Sequence, residues 1–581
     1  MATEELVTEQ FQFLGIEVSK EVLTKCVSLC TEYNVDPESF IEQWMAFSLT
    51  VLNGASPTLE NLELLAKREF SKRSASRPNV LPDEVTNSST GTSLTVYGAN
   101  AAIPSEIDVL SNYMSVTPKR VKIEKNEQGK NHNNELHPAT YSPNVDKSGK
   151  YNSRSNQGAV VHSYGDESLL AAIATPTGVD LMELNVTQVP NDDGDLYTKA
   201  MFGFELLHEK AGTFDNHIRY LSQCIMKKNG FTELSSVRHK TQTEVLVAGR
   251  IECDADARLN SKSVVLQGTW EDSLSQAVSV DLDGVKQYSL FPGQVVVMRG
   301  VNPRGDKFIA QEIFYDASCP VPDPKADMMN ILKGNLSMVV AAGPYTTSNN
   351  MAYEPLKDFI TYIGTHKPHI VIMTGPFMDC EHAKIKDHSM AETYKSFFDK
   401  LIDSIAEIST TSPFTKVYIV SSPKEVFSMN IYPAPPFSSR RKHTNIHFLP
   451  DPCTLNINGI IVGVTSTDIL MNISQEEISY GPAGDKRARL AAHVRAQRSY
   501  APLWPAPADA ALWAAHAQLP AAPHLLLLPS NFRYFVKEVN GSVVINPEHL
   551  TKGEGGGTFA RVLITPDINP PIGIAAQIVR I

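Results

Sequence analysis

The side chains with the means to do chemistry are concentrated in the last two-fifths of the chain. Asp379 closes the string Gly375-Pro376-Phe377-Met378-Asp379, and His366, His369, His382 and His388 lie within the same stretch. Carboxylates and imidazoles gathered at neighbouring strand ends can hold two cations and activate a water, the chemistry of metal-assisted phosphoester hydrolysis. A lone Asp at a strand end, however, is more commonly a loop or cap residue. The one Asp-x-His pair, Asp215 and His217, lies far upstream in a helical pattern. The glycine run Gly553-Glu554-Gly555-Gly556-Gly557 has the composition of a phosphate cradle. It leads into a strand pattern rather than a helix and lacks a Gly-Lys-Ser/Thr ending, so it reads as a tight loop. Cys26 and Cys30 are four apart on a predicted helix, but no second ligand pair follows, and they read as core residues.

The elements that must position these residues follow from hydrophobic patterning. From residue 334 to 581 the chain alternates apolar strand runs with helical stretches. Strands are predicted at 337–342, 369–373, 416–420, 459–464, 525–528 and 559–564, with helices around Leu356–Ile363 and 390–407. This is an α/β domain on a buried sheet, in which ligands sit beyond the carboxyl ends of the strands. Calcineurin-like phosphoesterases place Asp-x-His, Gly-Asp-x-x-Asp, Gly-Asn-His and further His residues there. This sequence offers Gly343-Pro344 after its first strand and Gly375-Pro376 after its second. The expectation is a calcineurin-like phosphoesterase domain lacking its metal ligands, with Gly343, Pro344, Gly375, Pro376 and Asp379 at the former metal positions. No cofactor is expected.

Upstream, the pattern divides into four further parts. Residues 1–72 read as an all-α domain of four short helices, with Asp36-Pro37 and Ser56-Pro57 as helix starts. Residues 73–195 are rich in Ser, Asn, Pro, Thr, Lys and Gly, and read as a disordered linker whose tail, Tyr151 to Asn156, is placed to dock on the following domain. Residues 196–235 read as a helical connector. Residues 236–333 hold five short strand patterns separated by turn signals, which points to an OB-type β-barrel. Its aromatics are sparse: Phe308 on a strand, with Tyr288 and Phe291 in the preceding turn.

Composition sets outer bounds. The 581 residues carry a formal net charge of −12, which argues against wrapping duplex nucleic acid. The seven cysteines are scattered, which excludes a disulfide framework and points to a reducing compartment, cytosol or nucleus. The acidic amino terminus lacks the apolar core of a signal peptide, and no apolar run is long enough for a membrane span.

Specific strings carry a resemblance. Ala342-Gly343-Pro344-Tyr345-Thr346-Thr347-Ser348, Tyr288-Ser289-Leu290-Phe291-Pro292-Gly293-Gln294, Gly463-Val464-Thr465-Ser466-Thr467-Asp468, Gln497-Arg498-Ser499-Tyr500, Arg533-Tyr534-Phe535-Val536-Lys537 and Leu550-Thr551-Lys552-Gly553 with Gly556-Gly557-Thr558-Phe559-Ala560 resemble the B (second, regulatory) subunits of DNA polymerase α–primase. The resemblance is weakest in the linker and at 501–523. It implies a nuclear, non-catalytic scaffold. Barrel and inactive phosphoesterase domain would together hold the C-terminal domain of the catalytic polymerase subunit, within a complex containing the primase subunits. The N-terminal helices would contact other replication factors, and DNA would be met mainly indirectly, with no membrane. In the linker, Thr117-Pro118 and Ser142-Pro143 match proline-directed phosphorylation sites, and Lys119, Arg120 and Lys122 fit a short nuclear-import signal. Two other classes compete with the scaffold: a metallophosphoesterase with a divergent ligand set drawn from the four histidines, and a single-strand DNA binder using the barrel.

Overall fold

A computed structural model describes residues 18, 20–33, 40, 41, 44, 47, 48, 57–66, 149–173, 184–189, 203–322 and 335–581, the last without 389, 391, 483, 506–508 and 566–572. The chain forms two compact units, Met1–Ser142 and Pro143–Ile581. In the first, helices α1 (Lys20–Tyr33) and α2 (Leu59–Leu65) share a core in which Cys26, Leu29, Phe40, Trp44, Phe47 and Leu62 are buried. Thr58 caps α2 by accepting the Asn61 N–H. Cys26 and Cys30 both lie inside this core, where burial, and then the neighbouring Cys30, push the Cys26 thiol up to about 12. The first predicted helix, and Thr117, Ser142, Lys119, Arg120 and Lys122, lie outside the described residues.

The second unit begins earlier than the sequence suggests. Strand β1 (Val160–Tyr164), helix α3 (Glu167–Ala172) and strand β2 (Val186–Gln188) all fall within the stretch read as linker, so 149–173 and 184–189 correct that expectation. Their apolar residues come in groups too short for a window of composition to register. They are ordered by docking on sheet edges formed elsewhere. Tyr151 is buried and its hydroxyl donates to Asp358 at 2.8 Å, while Arg154 Nε donates to Ile581 O at 2.9 Å and its guanidinium stacks on the Tyr151 ring.

Helix α4 (Leu207–Asn229) follows and ends at Gly230, whose φ of 70° serves as its left-handed cap. Ile218, Leu221 and Ile225 form its buried stripe, and they pack on the barrel rather than bridging freely to it. The barrel closes in the order β3 (Thr241–Cys253), β4 (Val264–Gln267), β5 (Ala277–Asp281), β8 (Lys307–Phe314), β7 (Val295–Asn302), with β5 and β8 parallel. The residues read as a turn around Tyr288 instead form β6 (Tyr288–Leu290), which leaves the barrel.

The remaining strands are β9 (Leu336–Ala342), β10 (Ile370–Thr374), β11 (Lys416–Val420), β12 (Ile446–Leu449), β13 (Cys453–Ile457), β14 (Ile460–Val464), β15 (Ile478–Tyr480), β16 (Leu525–Leu527), β17 (Phe535–Val539), β18 (Ser542–Asn546), β19 (Thr551–Lys552), β20 (Gly555–Gly556), β21 (Thr558–Thr565) and β22 (Gly573–Arg580). They build a seven-stranded sheet, β1-β22-β21-β9-β10-β11-β12, and a six-stranded one, β17-β18-β16-β14-β13-β2. Side-chain alternation stacks them. Leu336, Met338 and Val340 meet Val462, Val464 and Leu527 between the sheets. Val339 and Ala341 point the other way, into the core with α5 (Glu354–His366) and α6 (Tyr394–Ala406). Leu526 and Leu528 point outward into the core with α7 (Ile469–Glu476) and α8 (Lys486–Ala496). The result is a helix–sheet–sheet–helix sandwich, and burial on both faces explains the unbroken apolar runs.

Barrel and sandwich are joined by polar groups as well as by core. β6 pairs antiparallel with β15. Beside it, Glu477 accepts Arg489 Nε at 2.9 Å and Arg489 Nη2 at 3.1 Å, takes the Ser289 hydroxyl, and lies 3.2 Å from His493 Nε2. Burial alone would raise the Glu477 carboxyl, but these donors outweigh it and hold it at about 2. Gln497 clamps the barrel edge, accepting Val295 N–H at 2.7 Å and donating to Val295 O and Tyr315 O. A carboxylate with a depressed folded pKa stabilises above its unfolded value and loses that contribution as pH falls through the folded one. Urea unfolding should therefore show an acid limb between pH 4.5 and about 2 that flattens in Glu477→Gln. The same variant should lose roughly 3–5 kcal/mol at neutral pH.

Candidate functional site

Parallel strands β9, β10 and β11 of one sheet, and β14, β16 and β18 of the other, bring their carboxyl ends to one edge of the sandwich. The loops that leave them meet there. Gly343 N–H donates to Thr374 O at 2.9 Å, and a Cβ on Gly343 would lie 2.0 Å from Pro376 O. A Cβ on Gly375 would lie 2.7 Å from that of Ser422. Neither position can carry a side chain without moving its neighbour. Both Gly–Pro bonds are cis.

The carboxylates of this edge and His549 are engaged in fastening it. Glu425 is buried and accepts the N–H groups of Phe377 and Met378 at 2.7 and 2.6 Å. Burial, helped by the charge of Asp379, pushes its carboxyl up to about 8 against those two donors. Asp379 accepts the Glu381 N–H at 2.9 Å, the posture of a loop cap. Asp451 takes four donors: the Thr465, Ser466 and Thr467 hydroxyls and the Ser466 N–H. Asp468 caps α7 through the Met471 N–H and holds the Asn531 N–H at 2.7 Å. His549 Nδ1 lies 2.6 Å from Gly343 O, so this nitrogen carries the proton, and burial draws the imidazole's pKa down. Thr551 donates its hydroxyl to Pro344 O and Thr346 O. Beneath them Tyr345 and Phe377 stack 4.6 Å apart.

Gly343, Pro344, Gly375, Pro376 and Asp379 thus lie at the strand ends where the sequence puts them, and the structure brings them together. The four histidines do not converge. His369 precedes β10 and accepts the Ser337 N–H at the opposite edge. His366 stacks on Tyr362, and His382 contacts Thr347 O. His388 sits in the loop after β10 with a φ of 51°. Asp215 accepts the Trp270 N–H, and His217 packs on Trp513. Among the described residues no group of three or more His, Cys, Asp or Glu could hold a metal ion. The glycine run forms the β19–β20 hairpin, and Gly553 O accepts the Ser348 N–H over the Gly343 loop. Of the barrel aromatics, Phe308 and Phe291 are fully buried, and the half-buried Tyr288 stacks on Tyr480, so the barrel does not offer the row of open ring faces that stacks successive bases.

Sequence reasoning passed over Glu425, Asp451, Asp468 and His549. Each follows a strand by two to five residues, but β12 and β18 are not among the predicted strands, so the carboxyl ends that would draw attention to Asp451 and His549 are unmarked in the sequence.

Comparison with known proteins places these features. The family model for the B subunit of DNA polymerase alpha/epsilon matches residues 338–537. Those for the OB domain and for the N-terminal part of the DNA polymerase alpha B subunit match 211–316 and 4–72. The mouse DNA polymerase alpha B subunit is 31% identical, with all of both chains covered. The Drosophila melanogaster protein of that name is 30% identical over the whole of both chains. The Schizosaccharomyces pombe one is 30% identical, covering 62% of this chain and 67% of its own.

Two outcomes are expected at this edge. Gly343→Asp, which places a carboxylate at the first strand end, should lower unfolding stability by at least about 3 kcal/mol, because the new atoms meet backbone. Stabilisation of that variant by added manganese would contradict the reading. The raised Glu425 carboxyl contributes most below its ordinary value of 4.5 and loses that contribution as pH rises through about 8. Wild-type stability should fall across that window, and Glu425→Gln should remove the slope.

Proposed function

The chain belongs to the family of DNA polymerase alpha B subunits, and from that premise we propose that it is the non-catalytic regulatory and scaffold component of a DNA polymerase alpha–primase complex. As a family member it is an accessory subunit of a replicative polymerase. On our reading, the fused barrel and sandwich bind the C-terminal domain of the catalytic polymerase subunit, and the complex makes RNA–DNA primers in the nucleus. The N-terminal helical unit serves other replication factors. Thr117 and Ser142 are proposed phosphorylation sites, and Lys119, Arg120 and Lys122 a proposed import signal. No helix among the described residues is long and apolar enough to cross a membrane.

The observation that carries the non-catalytic reading is the state of the strand-end edge. We read the sandwich as a calcineurin-like fold whose two-metal centre is gone. Gly343 and Gly375 leave no room for ligands, and Glu425, Asp451, Asp468 and His549 are committed to loop backbone and hydroxyls. A hydrolytic site keeps such groups open toward substrate and cations. Here they make a rigid wall, which suits a surface that another chain must recognise in one shape.

Affinity purification of the full chain from nuclear extract tests this. The catalytic polymerase subunit and both primase subunits should co-purify in fixed ratio, resistant to moderate salt. Recovery of the chain without a polymerase catalytic subunit would defeat the proposal.

A further inference from the structure

The two sheets of the second unit have four outer edges. Two are strands drawn from the chain ahead of the barrel: β1, which pairs with β22, and β2, which pairs with β13. A third, β17, is the outer arm of a hairpin with β18. The fourth is β12, which among the described residues pairs with β11 alone and, unlike β1 and β17, borders a cleft. Val417 N–H donates to Asn445 O at 2.7 Å and Ser421 N–H to Leu449 O at 3.1 Å, so alternate residues of β12 face β11. By that alternation the N–H and C=O of Phe448 face outward. The edge opens onto a cleft of about 590 Å³ between β12 and β2, whose walls include Thr187, Gln188, Tyr418, Phe437, His447 and Phe448.

The connection that enters β12 is basic. Arg440, Arg441 and Lys442 are exposed and lie between Phe437 and Ile446, both of which line the cleft. Arg441 pairs with Asp403, which His443 Nε2 also approaches at 3.2 Å. Asp399 accepts the Ser439 hydroxyl and the Arg440 N–H. Neither Arg440 nor Lys442 forms an ion pair among the described residues. Lys395 stands nearby over the Phe398 and Phe427 rings, and Lys416 borders the cleft with its ammonium on Leu184 O. Five cations against two carboxylates is a local excess of positive charge in a chain of net charge −12.

We propose that this edge docks an extended acidic segment of a partner protein, which adds to β12 as a further strand and sets its carboxylates against Arg440 and Lys442. An edge strand beside a built cleft suits a peptide backbone, which pairs with the outward N–H and C=O at strand spacing. The molecule already uses the same device twice, with β1 and β2. A nucleic acid strand would meet the cations but could not pair with the edge, and Tyr418 and Phe437 are too buried to stack with bases. The inference stands apart from the choice of complex made above, because it concerns only what this edge binds.

The test is selection of a random peptide library on the full chain, followed by titration of the enriched peptides on wild type and on Arg440→Glu/Lys442→Glu, whose exposed positions leave folding intact. Enriched peptides should be acidic, with alternating apolar residues. The double reversal should weaken them at least about tenfold, and N-methylation of alternate peptide amides should abolish binding. Enriched peptides without net negative charge, binding unchanged by the double reversal, or displacement by an oligothymidine strand at equal concentration would each overturn the proposal. An empty selection would do so as well.

Discussion

Gly343 lies so close to Pro376 that an added Cβ would fall 2.0 Å from the proline carbonyl oxygen, and the strand-end edge is organised around that approach. Two strand ends are drawn together as bare backbone. The groups that would otherwise point outward turn to hold the loops that this closeness creates. Glu425 takes the two amides that follow Pro376, and His549 takes the carbonyl of Gly343 itself. Because these bonds are buried, each is costly to leave unmade. On the account proposed, a sandwich of this kind keeps its shape and gives up its cations, and the shape is what a partner protein reads.

Buried polar fastening extends across the second unit. Glu477, Arg489, Ser289 and His493 join barrel to sandwich with buried charge, and Gln497 bonds barrel backbone on both sides of its amide. Arg495 is nearly sealed between the two, donating to Cys319 O and Asn540 O. Such contacts favour one relative placement over others, because any shift strands a charge. Chain from ahead of the barrel then crosses the sandwich as β1 and β2. The unit is therefore assembled from sequence-distant pieces.

Much of this was legible in residue pattern, and the exceptions are physical. The parallel strands β9, β10 and β11 read clearly because burial on both faces makes their sequences continuously apolar. The barrel strands read well because turn residues punctuate them. Glycine and proline at 343–344 and 375–376 were legible as the residues that leave the first two strands. β1 and β2 did not read, since strands of five and three residues owe their order to the edges they join and carry little pattern of their own. β12 and β13 were hidden by polar residues such as His447 and Asn456, which face outward or cap turns. The roles of Glu425 and His549 could not be read, because they depend on loops from both sheets arriving together.

On the proposed reading, the strand-end edge is closed to metal. Calorimetric titration of manganese into the full chain at neutral pH addresses it most directly. The account predicts no saturable heat and no rise in melting temperature at millimolar metal. One or two ions bound stoichiometrically, lost on substitution of His549 or Asp468, would contradict it.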